Sequence, residues 1–289
     1  MHGIIRVLVV DDSAYVRKVI RRMLSRSPFI EVVGIAHDGA EALELVEELN
    51  PDVVTLDLMM PRMDGIAFLR EQMARRPLPV IVVSIASESG DLALQALDEG
   101  AIDFIQKPTA LATEKVYEIS DELIEKVKAA AQASQLAPPG RVPLAPAPEP
   151  LRLERRAGLV DIVVIGVSTG GPQALKYLIP QFPADFPVPI AIVLHMPIGY
   201  TELYAQRLDA IAPLQVVEAR EGEPVRPGMV LIAPAGRHLS FVRRGDGTVV
   251  AHLDTRPFDA PHRPSVDVLF QSAAEVFGHR VLGVVLTGM

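Results

Sequence analysis

Twice along this chain, short aliphatic runs ending on a polar residue alternate with stretches of helical periodicity. In the first series the candidate strands are Arg6–Val10, Val32–Ala36, Val53–Asp57, Val80–Ser84 and Asp103–Ile105. Between them apolar residues recur at helical spacing, as in Val16, Val19, Ile20, Met23 and Leu24, and again in Ala42, Leu45, Val46 and Leu49. Asp38 and Ser87 stand where helix caps are expected. Unbroken apolar runs, rather than alternating ones, describe strands buried on both faces, which parallel strands with helical crossovers become. The composition agrees: aromatics are only 5% and Trp is absent, so the cores must be built from Val, Ile, Leu and Ala. In the second series the runs are Asp161–Gly166, Ile190–His195, Val216–Ala219, Met229–Ala233, Val249–Leu253 and Arg280–Leu286. Helical patterns there begin near Pro172, Thr201 and Ser265. The expected fold class is α/β, with two doubly wound parallel-sheet domains.

The stretch between the two series differs in composition. Pro138, Pro139, Pro143, Pro146, Pro148 and Pro150 sit among Ala, Gly, Arg and Glu. Proline at that density cannot form a packed element, so residues 135–156 read as a semi-extended Pro-rich linker. It is either a plain tether or a segment that docks between the domains it joins, 1–134 and 157–289. A net charge of −8 argues against an electrostatic nucleic-acid binder, which needs clustered Lys and Arg. With no cysteine, disulfides, thiolate metal sites and Cys nucleophiles are excluded. The apolar stretch Ile4–Val10 is short and broken by Arg6, unlike a signal peptide. No segment approaches the ~18 uncharged apolar residues of a membrane span. The expectation is a cytoplasmic protein with no membrane insertion.

In parallel α/β sheets, ligands gather at the carboxyl ends of the strands. The first series places Asp11, Asp12, Asp57, Ser84 and Lys107 at such ends. Carboxylates brought together there repel unless a hard cation neutralises them, and Mg²⁺ with oxygen ligands fits that requirement. With a cation, a lysine and a serine hydroxyl around a phosphoryl group, Asp57 is placed to be its nucleophile, forming an aspartyl phosphate. Taken singly, each residue has a plainer reading: a helix cap, a turn former, a solvated Lys. Specificity lies in the ordered set V-L-V-V-D-D-S, T-L-D-L-M-M-P-R-M-D-G, V-I-V-V-S and D-F-I-Q-K-P. Over about residues 3–130 this set resembles the receiver domain of two-component response regulators. The resemblance implies a flavodoxin-like fold, a metal pocket of Asp11, Asp12 and Asp57, and Asp57 as phosphoacceptor. It further implies Ser84 as switch hydroxyl, Phe104 as switch aromatic, Lys107 as the phosphate-pairing cation, a cis peptide at Pro108, and a sensor histidine kinase as phosphodonor.

The second series opens with D-I-V-V-I-G-V-S-T-G-G-P-Q-A-L. Gly166 and Gly170 flank Ser168 in a G-x-S-x-G match, and Pro172 suits the first turn of a following helix. Glycines there permit a sharp turn that lifts the hydroxyl clear of the backbone, beside helix-N-terminal amides that can stabilise an oxyanion. Gly-rich turns of this kind also cradle phosphates. A dinucleotide site would call for Asp or Glu about 20 residues on; the chain instead places Ile190–His195 there. A histidine at an adjacent strand end, facing a strand-end serine, is what a nucleophile–base pair needs.

The motifs G-V-S-T-G-G-P-Q-A-L, L-H-M-P-I-G-Y-T, R-P-S-V-D-V-L-F and G-V-V-L-T-G-M, over about residues 159–289, resemble the catalytic domain of the CheB family of protein-glutamate methylesterases. The N-terminal receiver completes that family's domain order. The resemblance implies phosphorylation-regulated hydrolysis of glutamyl methyl esters, and deamidation of glutamines, on methyl-accepting chemotaxis receptors. Ser168 is then the nucleophile and His195 the base, with backbone amides near Ser168 and Met289 binding the oxyanion and Thr169, Met196 and the Arg263–Asp267 stretch lining the cleft. The triad Asp of the family would follow Met289, and Asp254, Asp259 and Asp267 lie outside the matching motif. This polypeptide by itself is therefore expected to have little esterase activity and its full-length parent to be active, since disabling that acid costs on the order of 10⁴-fold. Unphosphorylated receiver is expected to cover the Ser168 cleft and phosphorylation to open it. Rival readings are a transcription factor, a nucleotide-binding output, and a non-catalytic receptor adaptor or phosphate sink.

Overall fold

Valine, isoleucine and leucine fill five short parallel strands in the first half of the chain, each followed by a helix. The computed structural model describes residues 3–84, 90–107, 113–136 and 159–288. In order the elements are β1 (Ile5–Val10), α1 (Ala14–Leu24), β2 (Ile30–Ala36), α2 (Gly39–Leu49), β3 (Val53–Leu56), α3 (Gly65–Arg75), β4 (Val80–Ser84), α4 (Gly90–Asp98), β5 (Asp103–Gln106) and α5 (Thr113–Leu136). The sheet order is β2-β1-β3-β4-β5, the flavodoxin-like order of doubly wound folds. Val7, Val9, Val53, Ile81, Val83 and Ile105 pack in one core with Ile20, Met23 and Leu24 of α1 and Leu123, Ile124 and Val127 of α5. The alternate residues Leu8, Val54 and Val82 are equally buried, so both faces of the sheet are covered.

The chain forms two compact units. In the second, β6 (Ile162–Val167), α6 (Gly171–Leu178), β7 (Ile190–Leu194), α7 (Thr201–Asp209), β8 (Gln215–Glu218) and β9 (Met229–Ile232) are followed by β10 (His238–Arg243), β11 (Val249–Asp254), α8 (Val266–Phe277) and β12 (Val281–Val285). The parallel sheet runs β12-β6-β7-β9-β8. β10 and β11 stand apart as an antiparallel hairpin, with Leu239 opposite Leu253 and Phe241 opposite Ala251. Leu239, Phe241 and Ala251 join Leu269 and Ala273 of α8 over Ile162, Val164, Ala191, Val193 and Leu231, closing one face of that sheet. On another side of the strands, Tyr204 of α7 donates its hydroxyl to the Pro172 carbonyl at 2.8 Å and ties α7 to α6.

The expected strands are all present, mostly with their ends moved by one or two residues. The difference in kind is the hairpin. Val249–Leu253 reads as a further strand but pairs with β10, whose buried His238, Leu239 and Phe241 are too few to stand out between Arg237 and Arg243. Ser87, Pro108, Met289 and nearly all of the linker lie outside the described residues. Among the described residues, no helix is long and apolar enough to cross a membrane.

Candidate functional site

In the first unit, β1, β3, β4 and β5 lie side by side and deliver Asp11, Asp57, Ser84 and Lys107 to one edge of the sheet. The Lys107 ammonium sits 2.7 Å from Asp11 Oδ2 and 2.7 Å from Asp57 Oδ2. Asp11, Asp57, Ser84 and Lys107 are all buried. The turn after β1 is held from several sides. Asp11 Oδ1 accepts the Ser13 amide at 2.9 Å, and buried Arg17 of α1 donates from its guanidinium to the Asp11 carbonyl at 2.6 Å. Ser13 then caps α1 by accepting the Val16 amide. After β3 the chain must return closely: a Cβ on Gly65 would lie 2.4 Å from the Asp57 carbonyl oxygen, which explains the glycine that ends D-L-M-M-P-R-M-D-G.

Asp11, Asp12 and Asp57 each offer a ligand oxygen, all within 4.8 Å of one another. Three carboxylates facing one ammonium leave two uncompensated negative charges, the complement of a divalent cation with oxygen ligands. Burial pushes the Asp11 carboxyl above its ordinary range, against the pull of Lys107. Burial alone would depress the Lys107 ammonium, but its hydrogen bonds to Asp11 and Asp57 outweigh this and hold it above its ordinary range. Phe104 lies inside the unit and is almost wholly buried.

In the second unit, adjacent parallel strands β6 and β7 end on Val167 and Leu194, and the next residues along are Ser168 and His195. His195 Nδ1 lies 3.2 Å from Ser168 Oγ. For the imidazole to accept the hydroxyl proton, Nδ1 must be the bare nitrogen and the ring proton must sit on Nε2. The serine turn is narrow. Gly170 is left-handed at φ +78°, and Pro172 occupies the first turn of α6. A Cβ on Gly166 would meet Val266 of α8 at 2.5 Å, so that glycine lets the helix close on the strand. Ser168 and Thr169 are buried, as is Met196 beside His195. The Thr169 hydroxyl is buried with no hydrogen-bond partner among the described residues. Thr287 and Gly288 seat directly against the turn: the Ser168 amide donates to the Thr287 carbonyl at 2.9 Å and Thr287 Oγ1 donates to the Thr169 carbonyl at 2.8 Å.

Some participants were not read from the sequence. The His262 ring lies 4.5 Å, centroid to centroid, from the His195 ring. His238 is buried and accepts the Ser265 amide on Nδ1 at 3.1 Å, with Nε2 3.1 Å from the Pro257 carbonyl. It thereby fixes the segment carrying His262 and caps the way into α8. The only signal in the sequence was the resemblance that put 263–267 beside the cleft; nothing periodic marks either histidine.

Residues 163–289 match the CheB methylesterase family and residues 7–116 the response regulator receiver domain. The chain is 52% identical over 289 residues to protein-glutamate methylesterase/protein-glutamine glutaminase 5 of Myxococcus xanthus, covering 99% of this chain and 81% of that protein. It is 46% identical over 297 residues to the protein-glutamate methylesterase/protein-glutamine glutaminase of Symbiobacterium thermophilum, with 99% and 81% covered. Among solved structures, the CheB methylesterase catalytic domain of Thermotoga maritima is 45% identical, with a TM-score of 0.43 over 45% of this chain and 68% of that one. Both regions lie in one chain that these relatives match over 99% of its length and 81% of their own, and each region holds its strand-end polar residues together: the chain belongs to the CheB family of receiver-containing protein-glutamate methylesterases/protein-glutamine glutaminases.

Proposed function

We propose that this protein hydrolyses glutamyl methyl esters, and deamidates glutamines, on cytoplasmic regions of chemotaxis receptors, under control of phosphorylation at Asp57. The observation that carries the catalytic part is the Ser168 Oγ–His195 Nδ1 approach of 3.2 Å at adjacent strand ends in a chain of this family. Ser168 Oγ attacks the ester carbonyl carbon while His195 takes the hydroxyl proton. Backbone amides following Ser168 at the head of α6 bind the oxyanion, and the buried Thr169 hydroxyl, unpaired among the described residues, stands next to it. The tetrahedral adduct collapses, the imidazolium returns the proton to the departing methoxide, and methanol leaves. Water, deprotonated by His195, then releases the glutamate carboxylate from Ser168. With a glutamine the leaving group is ammonia and the remaining steps are the same.

In the receiver, Asp11, Asp12 and Asp57 would hold Mg²⁺, which when bound offsets the charge of an incoming phosphoryl group. An Asp57 carboxylate oxygen attacks phosphorus on a phosphohistidine of a sensor kinase, and the histidine departs. Lys107, already between Asp11 and Asp57, pairs with the phosphoryl oxygens. Ser84 and Phe104 relay the change of charge to the receiver surface, and the esterase cleft becomes accessible to receptor. The chemistry of Ser168 is tested by a fluorophosphonate reagent. A covalent adduct is expected on Ser168 of the intact protein, and to be lost in His195→Gln. An adduct on another residue, or labelling indifferent to His195, contradicts the assignment.

A further inference from the structure

Exposed large apolar side chains scattered singly over a surface need no explanation. Two in the second unit are not scattered. Ile198 is 75% exposed and follows His195 by three residues in the loop before α7; Phe258 is 69% exposed on the segment that carries His262 onto His195. A continuous set of contacts joins them. Gly236, in the loop between β9 and β10, has φ +83°, and a Cβ there would lie 3.1 Å from Ile198 Cδ1. The Gly236 amide donates to the Arg263 carbonyl at 3.1 Å. The Arg263 guanidinium lies 5.4 Å from the centre of the Phe258 ring and donates to the Phe258 carbonyl at 3.3 Å. Below this, buried His238 bonds to Pro257 and Ser265 at the two ends of the segment. The side chains are thus presented by loops fixed from beneath, and fixed apolar anchors bind at lower entropic cost than mobile ones.

We infer that Ile198 and Phe258 form a rim that docks the polypeptide segment bearing the esterified glutamate, by contact with apolar side chains flanking it. The inference rests on the proposed esterase reading and deepens it. A methyl ester is too small to tell one glutamate of a protein from another, so discrimination has to come from neighbouring residues reaching the edge of the cleft. The loops that hold His195 and His262 are that edge, and each exposes an apolar anchor there, Phe258 standing between the exposed Arg256 and Asp259. Phenylalanine and arginine are both enriched in protein interfaces, and here the Arg263 guanidinium packs on the Phe258 ring.

The test compares two substrates with the intact protein: methylated chemoreceptor, followed by methanol release, and p-nitrophenyl acetate, which has no polypeptide to dock. For Ile198→Asp and Phe258→Asp, the ratio of receptor kcat/KM to small-ester kcat/KM is expected to fall by about tenfold or more, through KM for the receptor. Ile198→Leu is expected to restore most of the ratio. A parallel loss on both substrates, or an unchanged ratio, overturns the inference. So does faster receptor hydrolysis by the unphosphorylated variants, since the rim would then be a seat for another part of this chain. Ser168→Ala run alongside keeps the two readings apart: if it still hydrolyses both esters the catalytic assignment fails, whatever the rim variants do.

Discussion

Lys107 and Lys126 are both buried in the first unit, yet their ammonium groups meet different demands. Lys107 is shared between two carboxylates with a third close by, so the site keeps charge for a cation and a phosphoryl group. Lys126 lies 2.6 Å from Asp103, the two side chains 2% and 3% exposed, and Asp103 also accepts the Phe104 amide at 2.7 Å. That pair is satisfied within the fold and ties α5 to the strand holding Phe104. Lys126→Met strands the Asp103 carboxylate, and such a loss is expected to cost about 3–5 kcal/mol. Adding Asp103→Leu is expected to recover much of it. Urea unfolding of the receiver checks this; an unchanged midpoint for Lys126→Met would mean the pair contributes nothing. The distinction between the two lysines was half legible. Lys107 stands in D-F-I-Q-K-P with Asp11 and Asp57 at matching strand ends, whereas Lys126 occupies a helix position where Lys is ordinarily solvated. His238 and His262 escaped for a related reason: their partners are set by the path of an irregular loop, which leaves no period to read.

The elements show where sequence patterning is sufficient and where it is not. Parallel strands buried on both faces leave long aliphatic runs, and each such run appears in the sheets as expected, with Ser168 and His195 emerging directly beyond strand ends. In the β10–β11 hairpin, β10 was missed because a half-covered strand of six residues with three buried side chains, one of them His238, resembles loop sequence. Helix α2 illustrates a cap read correctly. Asp38 accepts the Ala40 and Glu41 amides and pairs with Arg62, which the chain holds in the left-handed region at φ +63°. Burial alone would raise the Asp38 carboxyl; the Glu41 and Ala40 amides and the Arg62 guanidinium outweigh it and hold the group below its ordinary value of 3.8. A lowered carboxyl pKa contributes stability that is complete above the ordinary value and disappears as pH falls through the folded-state value. Asp38→Ala is therefore expected to destabilise the receiver by about 1–2 kcal/mol at neutral pH, and the gap to wild type is expected to close as pH drops below 3.8. Chemical denaturation at a series of pH values measures the gap; one that widens on acidification would refute the linkage.

At the scale of the molecule, two sheets of the same parallel kind put two chemistries at their carboxyl edges, an acidic pocket with a lysine in one and a serine–histidine pair in the other. One chain carrying both is suited to making hydrolysis answer to phosphorylation, and this coupling is the central claim. Coupling free energies between sites commonly reach 1–3 kcal/mol, or about 5–150-fold. The direct measurement is methanol release from methylated receptor by the intact protein, with and without acetyl phosphate and Mg²⁺, in wild type, Asp57→Asn and Ser168→Ala. Wild type is predicted to release methanol faster with the phosphodonor by about tenfold, Asp57→Asn to lose that stimulation, and Ser168→Ala to fall on the order of 10⁴-fold or more under either condition. Equal release by wild type with and without the phosphodonor, or persistent release by Ser168→Ala, would contradict the account.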